Sequence, residues 1–89
     1  MKKDKETIKL EDVFCHADDE GVLHWRTREN GETVEIARGD ANVLYMYMKV
    51  NDLDTENPEH LIAAQTIYTR QTLELCGYNV IGKTVYYNK

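Results

Sequence analysis

Residues 22–37 contain the pattern that most restricts the fold, two alternating segments joined by Asn30-Gly31. Asn-Gly readily takes positive φ at both central positions of a type I′ turn, whose twist matches that of two antiparallel strands. Apolar and polar residues alternate on both sides of this turn, as they do in strands with one buried face. We therefore predict a β-hairpin of residues 22–28 and 32–37, with four side chains on its buried face: Leu23, Trp25, Val34 and Ile36.

A long helix is predicted from its start signal, Asn57-Pro58-Glu59. Asparagine is a good N-cap, proline is favoured at the first helical position, and an acidic side chain suits the first turn. Gly77 is the residue type expected just beyond the C-terminus of such a helix. The helix should span about residues 57–76, with a buried stripe of Leu61, Ala64, Tyr68, Thr72 and Leu75.

Three other segments fit more than one structure. Asp40 is a good N-cap for a helix over residues 41–51, but apolar residues in this segment also alternate as in a strand. Its alanine, leucine and methionine content favours the helix. Residues 8–17 fit a strand followed by a turn or a single helical turn, and residues 78–87 fit a closing strand or a tight hairpin.

These elements predict an α+β fold. A small antiparallel β-sheet, made of the hairpin 22–28/32–37 and a C-terminal strand or hairpin, should pack against the long helix, with a second short helix at 41–51. A chain of 89 residues is long enough for one domain and its core is thin. We expect a flexible N-terminus over residues 1–7 and a single domain over residues 8–89.

Composition and charge indicate a cytoplasmic protein. The first residues lack the apolar stretch of a secretory signal, and no apolar run reaches the length of a membrane helix. With only Cys15 and Cys76, the chain is unlike a disulfide-rich secreted domain, so both are expected to be reduced thiols. The net charge is −5, and residues 11–20 and 51–60 contain nine acids and no lysine or arginine. This distribution disfavours nucleic-acid binding.

Candidate catalytic and metal-binding groups are few. Cys15, His16 and the acids that follow lack the paired spacing of zinc ligands, and neither cysteine stands in a nucleophile motif. Cys76 at a helix C-terminus is poorly placed to be a thiolate. We therefore predict no catalytic residues, no metal site, no cofactor and no enzymatic activity.

Aromatic and acidic residues make a better candidate for function. Tyr and Met are enriched at protein interfaces, and contiguous large side chains cannot all face one core. We predict an apolar centre of a partner-binding surface from Tyr45, Met46, Tyr47, Met48, Tyr86 and Tyr87. An acidic rim is predicted from Asp18, Asp19, Glu20, Asp52, Asp54 and Glu56.

The sequence thus favours a non-enzymatic protein-binding domain, which is an inhibitor, an adaptor or a homodimer. In size and charge the chain is similar to small acidic proteins of phages and mobile elements, and such a protein would block the basic nucleic-acid-binding surface of its partner. The alternative is a small winged-helix-like nucleic-acid-binding domain that uses Arg26, Arg28, Arg38 and Arg70. No membrane contact is expected.

Overall fold

The computed structural model describes residues 6–85, apart from the side chain of Glu29. Its fold is α+β, with a three-stranded antiparallel sheet, a second two-stranded parallel sheet and two helices. A 3-10 turn at Leu10–Asp12 follows the first strand. The elements are β1 (Thr7–Lys9), β2 (Phe14–Ala17), β3 (Val22–Glu29), β4 (Glu32–Asp40), α1 (Ala41–Val50), α2 (Pro58–Leu75) and β5 (Asn79–Ile81).

The antiparallel sheet has the strand order β2-β3-β4 and contains the predicted hairpin. Asn30 and Gly31 both have positive φ, 52° and 82°, as the type I′ turn requires. The second strand continues three residues beyond the predicted end, to Asp40, where it still pairs with Val22 of β3. Near this end, Gly39 lets the Trp25 ring and the Tyr68 hydroxyl lie against its backbone. A Cβ there would stand 2.6 Å from Trp25 and 2.9 Å from the Tyr68 hydroxyl.

The C-terminal strand does not join this sheet, so that part of the prediction is wrong. β5 instead pairs in parallel with β1, with Thr7 opposite Asn79. The Asn79 backbone N–H donates to the Glu6 carbonyl at 2.8 Å, and the Asn79 side chain donates to the Thr7 hydroxyl at 3.2 Å. Of the segment 78–87, predicted as a closing strand or a tight hairpin, only Asn79–Ile81 is a strand, Thr84 and Val85 are not in one, and residues 86–87 lie outside the described residues.

Both helices begin at capping residues expected from the sequence. The Asp40 carboxylate accepts from the Asn42 backbone N–H at 2.8 Å, so residues 41–50 form a helix and the strand alternative is wrong. The Asn57 side chain accepts from the Glu59 backbone N–H at 2.9 Å, and Pro58 is the first residue of α2. Among residues 6–85, neither helix has the length and apolarity needed to cross a membrane.

The core lies between the antiparallel sheet and the two helices. Trp25 is its largest fully buried side chain, and its ring meets that of Tyr68 edge to face at 5.2 Å. The Trp25 indole N–H donates to the Thr69 hydroxyl at 2.6 Å, which satisfies a donor that would be costly to bury unpaired. Val34 and Ile36 are partly buried, whereas Leu23 is fully buried.

The buried face of α2 differs from the predicted stripe. Ala64, Thr69 and Leu73 are fully buried, whereas Leu75 is 89% exposed. Thr69 faces the core, where its hydroxyl accepts from the Trp25 indole N–H. Leu75 is the last residue of α2 and precedes the turn at Gly77, so its side chain lies beyond the core.

Candidate protein-binding surface

Helix α1 is apolar on two sides, and only one of them belongs to the core. Its inward side chains are Ala41, Leu44 and Met48, each at most 3% exposed. Four further apolar side chains face outward at positions i, i+3, i+4 and i+7, which share one side of a helix. This apolar stripe consists of Val43, Met46, Tyr47 and Val50, exposed by 52%, 66%, 37% and 76%.

A shallow cavity extends the apolar stripe onto α2. Its volume is about 100 Å³, and both helices line it through Val43, Tyr47, Ala64, Ile67, Tyr68 and Gln71. Ile67 is itself 42% exposed. The apolar stripe and the cavity beside it therefore form one wider apolar surface that extends from α1 to α2.

An acidic loop begins where the stripe ends. Its three carboxylates belong to Asp52, Asp54 and Glu56, all exposed, and none has an ion-pair partner in the described part of the chain. The loop is ordered by backbone contacts: Asp54 accepts from the Glu56 N–H, and the Asp54 N–H donates to His60 Nδ1 at 2.9 Å. Exposed, unpaired and held in place, these acids give this end of α1 a negative potential.

The predicted aromatic centre is divided by the fold. Met46 and Tyr47 lie in the apolar stripe, and Tyr45 is 43% exposed outside it. Met48 is fully buried in the core, so it is not available at the surface. The helical period explains this division, because four consecutive residues point to four sides of α1. Tyr86 and Tyr87 lie outside the described residues.

The predicted acidic rim is also divided. Asp52, Asp54 and Glu56 form the acidic loop, and Asp19 and Glu20 are exposed in the turn before β3. Asp18 has a different role, because its carboxylate accepts from the backbone N–H groups of Glu20 and Val22 and contacts His24.

That contact belongs to a charged cluster on the outer face of the sheet, the His24 cluster of Asp18, His24, Glu35 and Arg38. His24 Nε2 lies 2.8 Å from Asp18, and Nδ1 lies 2.5 Å from Glu35. Both ring nitrogens can donate only when the imidazole is protonated. A β-bulge in β4, opposite Trp25 and Arg26, brings Glu35 and Arg38 to the same face.

Hydrogen bonds within the cluster shift its titrations in a consistent direction. The bond to Asp18, followed by that to Glu35, raises the pKa of His24 above its ordinary 6.5. The His24 bond lowers the pKa of Asp18 to about 2, and Arg38 is the main cause of the lowered pKa of Glu35. Each of these shifts favours the charged form of its group, so the hydrogen bonds and the ion pairs of the cluster stabilise one another.

The four arginines of the alternative hypothesis are engaged in intramolecular contacts. Arg38 donates to Glu35 at 2.5 Å, and Arg26 approaches the same carboxylate at 3.7 Å. Arg28 lies over the Phe14 ring at 5.8 Å. Arg70, on the other side of the sheet, donates to the carbonyls of Val80 and Gly82. The four side chains do not form one basic surface.

The two cysteines and the metal-ligating side chains are the residues that the sequence analysis considered for catalysis or metal binding. Burial raises the pKa of the Cys15 thiol to about 12, so it is not a thiolate at neutral pH. Cys76 is exposed at the end of α2, and both thiols are free. Within residues 6–85, no group of three or more His, Cys, Asp or Glu side chains is arranged to hold a metal ion.

Sequence reasoning missed Val43, Val50 and Ile67 as surface residues. The signal for the first two was present, since 43, 46, 47 and 50 fall on one side of a helix once the helix is chosen over the strand. The exposure of Ile67 depends on how α2 packs against the rest of the fold, which no local sequence pattern specifies. Comparison of the chain with protein-family models, curated protein sequences and solved structures gives no match.

Proposed function

We propose that this chain is a non-enzymatic protein-binding domain that associates through the apolar stripe of α1. The single observation that supports this is the exposure of four large apolar side chains in a row on a helix that already fills the core with another side. Contiguous apolar patches of this kind on small domains usually mark interaction surfaces. Met46 and Tyr47 at the centre are residue types enriched at interfaces.

The titratable groups support a non-catalytic role. A general base needs a free lone pair and a substrate cavity within reach, whereas both nitrogens of His24 face carboxylates of the protein itself. The Cys15 thiol is partly buried and its pKa is about 12, which disfavours nucleophilic attack. These groups are used for structure.

The acidic loop supports a second candidate, an inhibitor or adaptor whose partner has a basic surface. Asp52, Asp54 and Glu56 stand at one end of the stripe, where a ring of lysines or arginines around an apolar patch would meet them. Such a complex would form faster at low salt, because unpaired surface charges act over a Debye length. A nucleic-acid-binding function is less well supported, because the four arginines have intramolecular contacts.

Site-specific photo-crosslinking in living cells tests the use of the stripe. A benzophenone amino acid at position 46, in the centre of the stripe, should give a discrete cross-linked protein adduct. The same group at Glu32, at the turn end of β4 and therefore at the opposite end of this strand from α1, is the matched control and should give none. Val43→Asp in the position-46 protein should abolish the adduct, because a carboxylate in an apolar contact must be desolvated. Identical adducts at both positions, or none at position 46, would contradict the proposal.

A further inference from the structure

The apolar stripe is symmetric along α1. Its spacing, Val-x-x-Met-Tyr-x-x-Val, is the same in both directions about the midpoint between Met46 and Tyr47. A two-fold axis through this midpoint would lay a second α1 antiparallel to the first. Val43 would then lie opposite Val50 of the second copy, and Met46 opposite Tyr47 of the second copy. Such self-complementarity is what an isologous two-fold interface requires.

We propose that the occupant of the apolar stripe is a second copy of this chain, bound through an antiparallel α1 pair. This inference rests on the proposed function and names the partner of the same surface. Met46 of each copy would face Tyr47 of the other and the cavity beside it, which Val43 and Ile67 also line. The unbranched, flexible methionine side chain suits such a shallow gap and makes favourable sulfur–aromatic contacts.

The available area fits a weak dimer. The exposed parts of Val43, Met46, Tyr47, Val50 and Ile67 amount to roughly 500 Å² in each copy, or about 1,000 Å² for the pair, which is close to the lower limit for a specific interface. Contacts near this limit are typical of weak, transient complexes, and area alone does not set affinity, so we expect a dissociation constant on the order of micromolar or weaker. The dimer should therefore form and dissociate within a concentration range that is easy to reach in solution.

The charge of the protein distinguishes a second copy from a basic partner as the occupant of the stripe. Each copy has a net charge of −5, and the antiparallel arrangement places the acidic loop of one copy near Asp40 of the other. Because like charges repel and salt screens them, added salt should tighten the dimer, whereas it would weaken a complex with a basic protein. The sign of the salt effect thus identifies the occupant.

Sedimentation equilibrium of the purified protein tests the dimer directly, from about 1 μM to about 1 mM, the range of weak complexes. We expect a monomer–dimer equilibrium that tightens when salt is raised. Met46→Lys should weaken it at least ~10-fold, because a buried unpaired ammonium costs well over 1.4 kcal/mol. Tyr45→Lys, one residue away and outside the stripe, is the matched control and should leave it unchanged. A monomer throughout, or equal effects of the two variants, would overturn the proposal.

Disulfide trapping tests the antiparallel direction, in a Cys76→Ser background that removes the exposed native thiol. A mixture of Val43→Cys and Val50→Cys proteins should cross-link, since these positions meet across the axis. Either variant alone should not, because its two copies would be offset by about 10 Å along the helices. A mixture of Val43→Cys with Leu75→Cys controls for random collisions between exposed thiols. Cross-linking within a single variant, or equally in the control, would overturn the arrangement.

The proposed function can survive the failure of this inference. If the protein is a monomer and still gives a photo-adduct with another protein that depends on the stripe, the proposed dimer fails and the proposed binding function stands. If substitutions in the stripe leave the dimer's dissociation constant unchanged and position 46 gives no photo-adduct, the proposed dimer and the proposed binding function both fail.

Discussion

On the outer face of the antiparallel sheet, His24, Glu35 and Arg38 hold one another by hydrogen bonds. On α1, by contrast, the side chains of Val43, Met46 and Val50 are each more than half exposed to solvent. The sheet face therefore satisfies its own polar groups, whereas the helix face leaves apolar area in water. Because burial of apolar area contributes about 25 cal/mol per Å², a partner that covered the helix face would be stabilised by that burial.

The largest expected change in the free energy of unfolding comes from the buried side of α2. Leu73→Ala should lower the free energy of unfolding by about 2–5 kcal/mol, because Leu73 is fully buried and its removal leaves a cavity. Leu75→Ala, two residues further along α2, should change it by no more than about 0.5 kcal/mol. Chemical denaturation of both variants measures the difference. Equal losses would place Leu75 in the core and contradict the helix rotation described here.

A smaller loss is expected at Gly39, where the sheet approaches α2. Gly39→Ala should cost about 1–3 kcal/mol, because the added methyl group would stand 2.6 Å from the Trp25 ring. Gly39 is not in the left-handed region, so crowding alone causes the loss. Thermal unfolding of the variant and of the unchanged protein measures this loss. A fully stable Gly39→Ala protein would mean that this contact is looser than described.

The His24 cluster should make stability depend on pH. Because the folded pKa of His24 is raised above 6.5, its contribution is complete below that pH and is lost as pH rises through the folded value. Asp18 has a lowered pKa of about 2, so its contribution is present above 3.8 and is lost as pH falls toward 2. The denaturation midpoint should fall as pH is lowered from 3.8 toward 2 and should fall again as pH rises above 6.5. The variant His24→Gln should lack the second of these losses. A midpoint that rises between pH 6 and pH 8 would contradict the ion-pair geometry.

The smallest effect is expected in the stripe itself. Val50→Ser should change the free energy of unfolding of the dilute protein by no more than about 0.5 kcal/mol, because Val50 is 76% exposed. The same change should weaken association, since it removes apolar area from the contact. Denaturation at low concentration, compared with sedimentation at high concentration, separates the two properties. A marked loss of stability in the dilute protein would show that Val50 supports the fold and not a contact.

The sequence predicted the parts of this fold that depend on local chemistry. The Asn30-Gly31 turn, the Asp40 cap and the start of α2 at Pro58 each follow from a residue type acting on its neighbours. The pairing of β1 with β5 joins residues 72 positions apart through three-residue strands, too short to show a pattern. The rotation of α2 places Thr69 beside Trp25, a contact between residues 44 positions apart that no local pattern specifies.

The candidate surface was predictable to a similar degree. Surplus aromatic and methionine residues indicated an exposed apolar centre near Met46 and Tyr47, and the acids at 52–56 indicated the loop. The assignment of Met48 to that surface was wrong, because the helical period turns it to the core. Asp18 was predicted to belong to the acidic rim, but its carboxylate contacts His24.

The central claim, that the helix face and not the sheet face is the contact surface, is tested most directly by amide chemical shifts during dilution. Spectra of the ¹⁵N-labelled protein between about 1 mM and about 10 μM span the expected dissociation constant. We predict concentration-dependent shifts along 43–50 of α1 and near Ile67 of α2, with the amides of His24, Glu35 and Arg38 unchanged. Shifts confined to the sheet face, or shifts spread evenly over both faces, would contradict the claim.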